Sequence, residues 1–213
     1  MQLGQSSGGS LELNREEFEC EWGVIKEIEN FAREHLITMS HGFDHTRRVY
    51  NLALNIGAAE KADLKVLLSA ALLHDIGRDL EDHMGADHAE VSAYLAEEFL
   101  RTISFPQEKM APVLDAIKQH RWSSEQRPQS LEAKVLSDAD NLDAMGAIGV
   151  ARTFTYGGRH KRDVNGTLGH FHNKLLKLKD RMHTVTARGM AEERHKYMIK
   201  YLERFKQESE GII

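Results

Sequence analysis

The most chemically distinctive part of the chain is a histidine–aspartate pair at the end of an apolar segment. His74 and Asp75 follow a run of leucines and alanines, and Gly77 offers a helix end two residues later. Burying both side chains without partners would cost several kcal/mol. A metal ion would satisfy them through an imidazole nitrogen and a carboxylate oxygen. A hydrogen-bonded His–Asp pair without a metal explains the same two residues equally well.

Two other places carry candidate ligands. His45 opens a predicted helix after a glycine-containing break, where a lone histidine is more often a helix-start or core residue than a ligand. Asp138, Asp140 and Asp143 crowd one short helix with apolar residues on both sides. Three carboxylates so close together need a cation or partial exposure to water. A solvated acidic face is the alternative, and the flanking apolar residues make it less favourable.

Helices must position these residues, because the chain has three prolines and apolar residues at helical spacing. The segment 62–76 is apolar nearly all round, which is typical of the buried centre of a bundle. We expect polar loops at about 121–130 and about 155–167, the second because of its glycines and asparagine. The spacing predicts helices over about 14–36, 44–57, 62–76, 86–102, 107–120, 131–145, 170–181 and 185–207.

Composition limits the class of protein. The chain has 213 residues, 41% of them hydrophobic, and a net charge of −5, which favours a single all-α domain and argues against recognition of duplex nucleic acid. Cys20 is the single cysteine, so we expect no internal disulfide and a cytoplasmic location. No apolar run is long enough to span a membrane. We predict a disordered tail over 1–12, without a secretory signal, and one domain over 13–213.

The ordered set of motifs resembles the HD-domain phosphohydrolase superfamily. Its signature of one histidine, a His–Asp doublet and a distant aspartate matches His45, LLHDIGR at 72–78 and DADNLDAMGAIGVAR at 138–152. His170-Phe171, the KLLKL segment at 174–178 and AEER at 191–194 resemble the small stand-alone bacterial branch of that superfamily. The resemblance covers about residues 18 to 207.

The resemblance implies an all-α, single-domain bundle of the HD-domain type with one divalent ion on His45, His74, Asp75 and Asp140. In this superfamily such an ion polarises a phosphoryl oxygen and activates a water molecule. Relatives in the bacterial branch resemble nucleotide pyrophosphohydrolases, so we expect hydrolysis of a nucleotide phosphoanhydride or phosphoester, for example of a (d)NTP to (d)NMP and pyrophosphate. The mixed nitrogen and oxygen ligands suit Mn²⁺, Fe²⁺, Co²⁺, Ni²⁺ or Zn²⁺ better than Mg²⁺, although availability can decide otherwise.

Charge and position suggest supporting roles for further residues. His88 and His120 could hold a second metal ion, bind phosphate or simply lie on the surface. Asp79 or Asp143 could orient or deprotonate the water. Candidates for binding phosphate or the leaving group are Arg48, Arg78, Lys134 and Arg152, and each could also be an ordinary surface residue. We expect a small nucleotide-like substrate and no membrane partner, and the sequence does not indicate an oligomeric state.

Two other classes of function remain open. A di-iron oxidative enzyme on the same fold would need His88 and His120 as ligands and would show iron absorption. A non-catalytic metal or nucleotide sensor would bind nucleotide without releasing phosphate or pyrophosphate. The intact ligand set disfavours the sensor.

Overall fold

The protein is described here by a computed structural model that covers residues 15–36, 42–78, 80, 87–121 and 127–212, with side chains from residue 23 onward. Over these residues the structure is all-α and contains no strand, which confirms the predicted fold class. The predicted tail 1–12, Asp79 and positions 122–126 of the predicted loop lie outside the described residues. The helices are α1 (Arg15–His35), α2 (Phe43–Glu60), α3 (Leu64–Leu73), α4 (His88–Leu100), α5 (Gln107–Gln119), α6 (Leu131–Asp143), α7 (Gly146–Arg159), α8 (Val164–Asn173), a 3-10 helix (Leu175–Arg181) and α9 (Val185–Ser209).

Helix α3 is the centre of the bundle. Eight of its ten residues, Val66 to Leu73, are buried, and it packs against α1, α2, α5 and α6. The Asp63 side chain begins the helix by accepting hydrogen bonds from the backbone N–H groups of Lys65 and Val66. The apolar pattern of this segment therefore predicted its central position correctly.

Gly77 has a different role from the helix-capping one that the sequence suggested. Helix α3 already ends at Leu73, and residues 74–77 form turns that lead away from it. A Cβ atom at Gly77 would lie 2.7 Å from the backbone nitrogen of Ser92 and 2.8 Å from Val91 Cγ1, and the Gly77 N–H donates to Ser92 Oγ at 2.9 Å. The glycine is needed because α4 passes against this turn.

The prediction of a long loop over 155–167 was wrong. Helices α7 and α8 fill most of that segment, and only residues 160–163 connect them. A Cβ atom at Gly157 would lie 2.3 Å from Thr167 Oγ1, so the glycine allows the two helices to approach closely. Asp163 begins α8 by accepting a hydrogen bond from the Gly166 N–H at 2.7 Å. Tertiary packing and a helix cap thus outweigh the weak helix propensity of the glycines.

The helix predicted over 170–181 is interrupted. Helix α8 ends at Asn173, Lys174 adopts φ −132° and ψ −60°, and the chain continues as the 3-10 helix. Phe171, Leu175 and Leu178 are buried on either side of this break and fix it to the core. Within the part of the chain that the structure describes, no helix has the length and apolar character required to cross a bilayer.

Candidate metal centre

Four side chains that the sequence suggested as ligands come together from three elements. His45 lies on α2, His74 and Asp75 on the turn after α3, and Asp140 on α6. His45 Nε2 is 3.4 Å from His74 Nε2, 3.4 Å from Asp140 Oδ1 and 3.7 Å from Asp75 Oδ2. Ligand atoms about 2.1 Å from one ion lie roughly 3.0–3.4 Å apart, so these separations approach those of a coordination sphere.

The outer hydrogen bonds of the histidines determine which ring nitrogens face inward. His74 Nδ1 lies 2.8 Å from the Ala71 carbonyl oxygen, and His45 Nδ1 lies 2.7 Å from Asp143 Oδ2. Both partners only accept, so each Nδ1 donates, and each ring in its neutral form presents a lone pair at Nε2. These lone pairs face each other and the carboxylate of Asp75. A cation at the centre would relieve that repulsion, so the donor set fits a divalent ion.

The pKa values of the four candidate ligands are shifted in different directions by burial and by their neighbours. Burial lowers the pKa of His74 to about 4, so its ring is neutral near pH 7. Burial opposes the charge on Asp75 and Asp140, yet neighbouring histidines, together with Arg78 beside Asp75, hold the pKa of both carboxyl groups well below the usual range. Burial also lowers the pKa of His45, but Asp140 and Asp143 outweigh it and raise that pKa overall.

Asp143 lies behind the candidate ligands and does not face the cleft. It is 1% exposed, and its Oδ2 accepts from His45 Nδ1. Arg48 Nε donates to Asp143 Oδ1 at 2.6 Å and Arg48 Nη2 donates to Oδ2 at 3.1 Å, while Arg152 Nη1 also donates to Oδ2. Both oxygens of Asp143 are engaged by His45 and the two arginines, and Arg48 is paired with this carboxylate. Neither Asp143 nor Arg48 lines the cleft, so the structure does not bring them to the places that the sequence suggested for contact with a water or a phosphate.

Asp138, the third acid of the group, points to a different part of the protein. Its buried carboxylate accepts from the backbone N–H groups of His183 and Thr184, each at 2.8 Å, and from Thr184 Oγ1 at 2.7 Å. The three neighbouring acids therefore have three separate environments: the start of α9, the candidate metal centre and the rear of His45. Only Asp140 lies at the candidate metal centre.

His88 and His120 also lie at the centre, beside the second oxygen of Asp75. Both are buried, and their Nε2 atoms are 3.4 Å and 3.8 Å from Asp75 Oδ1. His74, Asp75 and His120 form a second group with metal-ligand spacing. Arg78 Nη1, however, lies 2.6 Å from His88 Nε2 and 3.4 Å from Asp75 Oδ1. In this arrangement the Arg78 guanidinium provides the positive charge beside His88.

A cleft opens above the candidate metal centre and is lined by positively charged side chains. Asp75 and Asp140 form part of its floor, and Leu178 contributes an apolar surface. The basic residues of the lining are Arg78, Arg121, Arg152 and Lys174. Of these, the sequence indicated Arg78 and Arg152 as candidates, missed Arg121, and noted Lys174 only as part of the KLLKL segment.

Lys134 does not reach the site that the sequence suggested for it. It lies on α6 six residues before Asp140, about 9 Å along the helix axis, and it is not among the residues that line the cleft. The expectation that it stabilises a leaving group is therefore corrected. Lys174 occupies the wall of the cleft instead.

Comparison with known proteins identifies the family of this arrangement. The HD domain family model matches residues 42–145, which include all four candidate ligands. The Bacillus subtilis protein YpgQ is 36% identical over 178 residues, which make up 81% of this chain and 86% of YpgQ.

Solved structures agree with that match. The crystal structure of Bacillus subtilis YpgQ in complex with ADP has a TM-score of 0.74 and 35% identity, covering 88% of this chain and 96% of that one. A HD-superfamily hydrolase from Bacillus thuringiensis has a TM-score of 0.73 and 34% identity, covering 89% and 98%. With the fold, the motif spacing and these similarities in agreement, the chain belongs to the HD-domain phosphohydrolase superfamily.

Proposed function

We propose that this protein is a metal-dependent phosphohydrolase that cleaves a phosphoanhydride or phosphoester bond of a nucleotide. The observation that carries the proposal is the convergence of inward-facing imidazole nitrogens with two carboxylates at the floor of a cationic cleft. Such a donor set suits a divalent ion, and the cleft above it suits a phosphate-containing anion.

His45, His74, Asp75 and Asp140 would hold the ion. When bound there, a divalent ion supplies a Lewis acid for a phosphoryl oxygen and activates a water molecule. The nitrogen ligands favour Mn²⁺, Fe²⁺, Co²⁺, Ni²⁺ or Zn²⁺ over Mg²⁺. The position of Arg78 between His88 and Asp75 favours one ion over two.

The remaining side chains of the cleft bind and orient the substrate. Arg78 and Arg152 face the cleft next to the candidate ligands, where their planar guanidinium groups can donate two hydrogen bonds to a phosphate. Asp143 keeps the Nε2 of His45 directed inward by accepting from Nδ1. The complex of the similar protein YpgQ with ADP supports a nucleotide as the ligand of this protein.

The decisive experiment is a turnover assay with the purified chain, Mn²⁺ and a panel of nucleotides, with phosphate and pyrophosphate quantified separately. We expect release of one of these products, and we expect His74→Ala and Asp75→Ala to reduce turnover to background. His172→Ala, an exposed histidine on α8, is the matched control and should retain wild-type turnover. Full activity in either site variant would contradict the assignment.

The same assay separates the two other classes of function. A sensor would bind nucleotide and release neither product. A di-iron oxidative enzyme would show iron absorption and would need Arg78 to leave His88, because the guanidinium donates to the ring nitrogen that would bind iron.

A further inference from the structure

We propose that Lys174 binds the phosphates beyond the one at the metal centre, and so makes the cleft select ligands with two or more linked phosphates over monophosphates. This inference rests on the proposed nucleotide-binding function of the cleft. It assigns to Lys174, which the sequence analysis noted only as part of the KLLKL segment, the role of distinguishing ligands by their number of phosphates.

The backbone around Lys174 holds its side chain at the wall of the cleft. Lys174 forms the junction between α8 and the 3-10 helix, and its N–H donates to the His170 carbonyl oxygen at 3.0 Å. Phe171 and Leu175 are buried on either side of it. The Lys174 side chain is half-buried and lines the same cleft as Asp140. An anchored lysine loses less conformational freedom when it binds a ligand than a mobile surface lysine does.

The electrostatic surroundings of Lys174 indicate what the cleft can bind. Lys174 shares the lining of the cleft with three arginines, Arg78, Arg121 and Arg152, and with the carboxylates of Asp75 and Asp140. Arg78, Arg121 and Arg152 form ion pairs with Asp75, Asp87 and Asp143, so Lys174 adds a further positive charge to a cleft whose arginines are already partly neutralised. A bound anion is attracted by this positive charge, and each additional phosphate of the ligand strengthens the attraction.

The sequence around Lys174 reinforces that field. Residues 159–181 contain seven Lys or Arg residues and two Asp residues, although the whole chain has a net charge of −5. This segment, which contributes Lys174 and Leu178 to the lining of the cleft, therefore carries more positive than negative side chains in a chain whose net charge is negative. Such a segment attracts polyanionic ligands towards the cleft.

The test is equilibrium binding by isothermal titration calorimetry, with ADP and AMP as probes, in the presence and absence of Mn²⁺. Wild-type protein should bind ADP at least about ten-fold more tightly than AMP. Lys174→Met keeps the aliphatic stem but removes the charge, and it should weaken ADP binding about ten-fold and AMP binding less than about two-fold. Lys174→Arg should retain most of the preference for ADP.

Lys177→Met is the matched control, because Lys177 has the same charge, lies on the 3-10 helix that follows Lys174 and is exposed. It should bind both nucleotides as the wild type does. Equal losses for ADP and AMP in Lys174→Met, no loss at all, or the same loss in Lys177→Met would overturn the inference. These outcomes differ from a failure of the proposed function, which would appear as nucleotide binding without hydrolysis.

Discussion

The orientation of His45 depends on one carboxylate that does not touch the candidate metal position. Asp143 accepts from His45 Nδ1 and is itself held by Arg48 and Arg152. Partners of this kind fix the tautomer of a ligand histidine and raise its basicity. The pKa of Asp143 is held well below its usual range, since its hydrogen bonds with His45 and Arg48 outweigh burial.

We predict that Asp143→Asn weakens Mn²⁺ binding about 10- to 100-fold while the protein remains folded. The amide removes the negative charge that holds the His45 ring and the two arginines. Equilibrium dialysis measures the affinity, and circular dichroism reports the fold. Asp115→Asn, at an exposed position on α5, should bind Mn²⁺ as the wild type does. An unchanged affinity in Asp143→Asn would show that the hydrogen bond to His45 is unimportant.

The sequence identified the residues that the structure brings together, but it did not distinguish three neighbouring acids. Positions 138, 140 and 143 point in different directions around a helix, because each residue turns it by about 100°. What each carboxylate meets depends on other parts of the chain: the start of α9 for Asp138, and α2 for Asp143. The place of Lys174 in the cleft was missed for the same reason, since its distance from Asp140 in sequence gives no sign of a shared cleft.

At the scale of the elements, Asp138 joins α6 to the start of α9. Its carboxylate accepts three hydrogen bonds from His183 and Thr184, and Thr184 Oγ1 in turn accepts from the Ala187 N–H at the first turn of α9. Loss of the carboxylate would leave buried N–H groups without an acceptor.

We therefore predict that Asp138→Ala lowers the free energy of unfolding by about 2–4 kcal/mol, because two backbone donors become unsatisfied. Urea denaturation of metal-free protein measures the change. Asp140→Ala is the contrast: it should abolish Mn²⁺ binding but lower the stability of the metal-free protein much less. Equal destabilisation by the two substitutions would contradict the separate roles of these acids.

A second element-scale prediction concerns the start of α3. Asp63 caps this helix and accepts from Lys109 Nζ at 2.6 Å. Burial raises the pKa of Asp63, but the hydrogen bonds from Lys109 and the backbone outweigh it and lower the pKa below 3.8. The charged form therefore stabilises the folded state above about pH 4, and this contribution is lost as the pH falls through the folded-state pKa.

Asp63→Ala should cost about 1 kcal/mol at pH 7, whereas Asp63→Asn should cost less because asparagine also caps helices. The stability difference between wild type and Asp63→Asn should shrink as the pH falls from 6 to 3, and urea denaturation across that range tests it. A difference that stays constant with pH would mean that the charge of Asp63 does not contribute.

The helices themselves were largely predictable from apolar spacing, and the exceptions have physical causes. The apolar pattern over 62–76 predicted the central helix, because burial on all sides leaves a clear signature. Gly157 and Gly166 suggested a loop, yet the first allows close packing and the second follows a capping aspartate. Propensity is local, whereas the close contact between Gly157 and Thr167 is formed only in the folded chain.

For the whole molecule, the candidate metal centre connects distant parts of the chain. Its four candidate ligands come from residue 45 on α2, residues 74–75 after α3 and residue 140 on α6. An ion that binds only the folded state, and not the unfolded chain, must therefore stabilise the helical bundle.

We predict that Mn²⁺ at one hundred times its dissociation constant raises the free energy of unfolding by about 2.7 kcal/mol. For a chain of this length the melting temperature should rise by roughly 5–10 °C. Thermal denaturation after EDTA treatment, with and without added Mn²⁺, measures this shift. His74→Ala should show almost none of it; a shift of wild-type size in that variant would place the ion elsewhere.

The contact at Gly77 has a consequence for how this protein can vary. Gly77 lies two residues after Asp75. Its hydrogen atom occupies a position where any larger group would meet the α4 backbone. A methyl group there would separate the turn from α4, and so move His74 and Asp75 away from His88. A mutational scan should therefore find Gly77 as intolerant as the histidines beside it, although it contributes no atom to the chemistry.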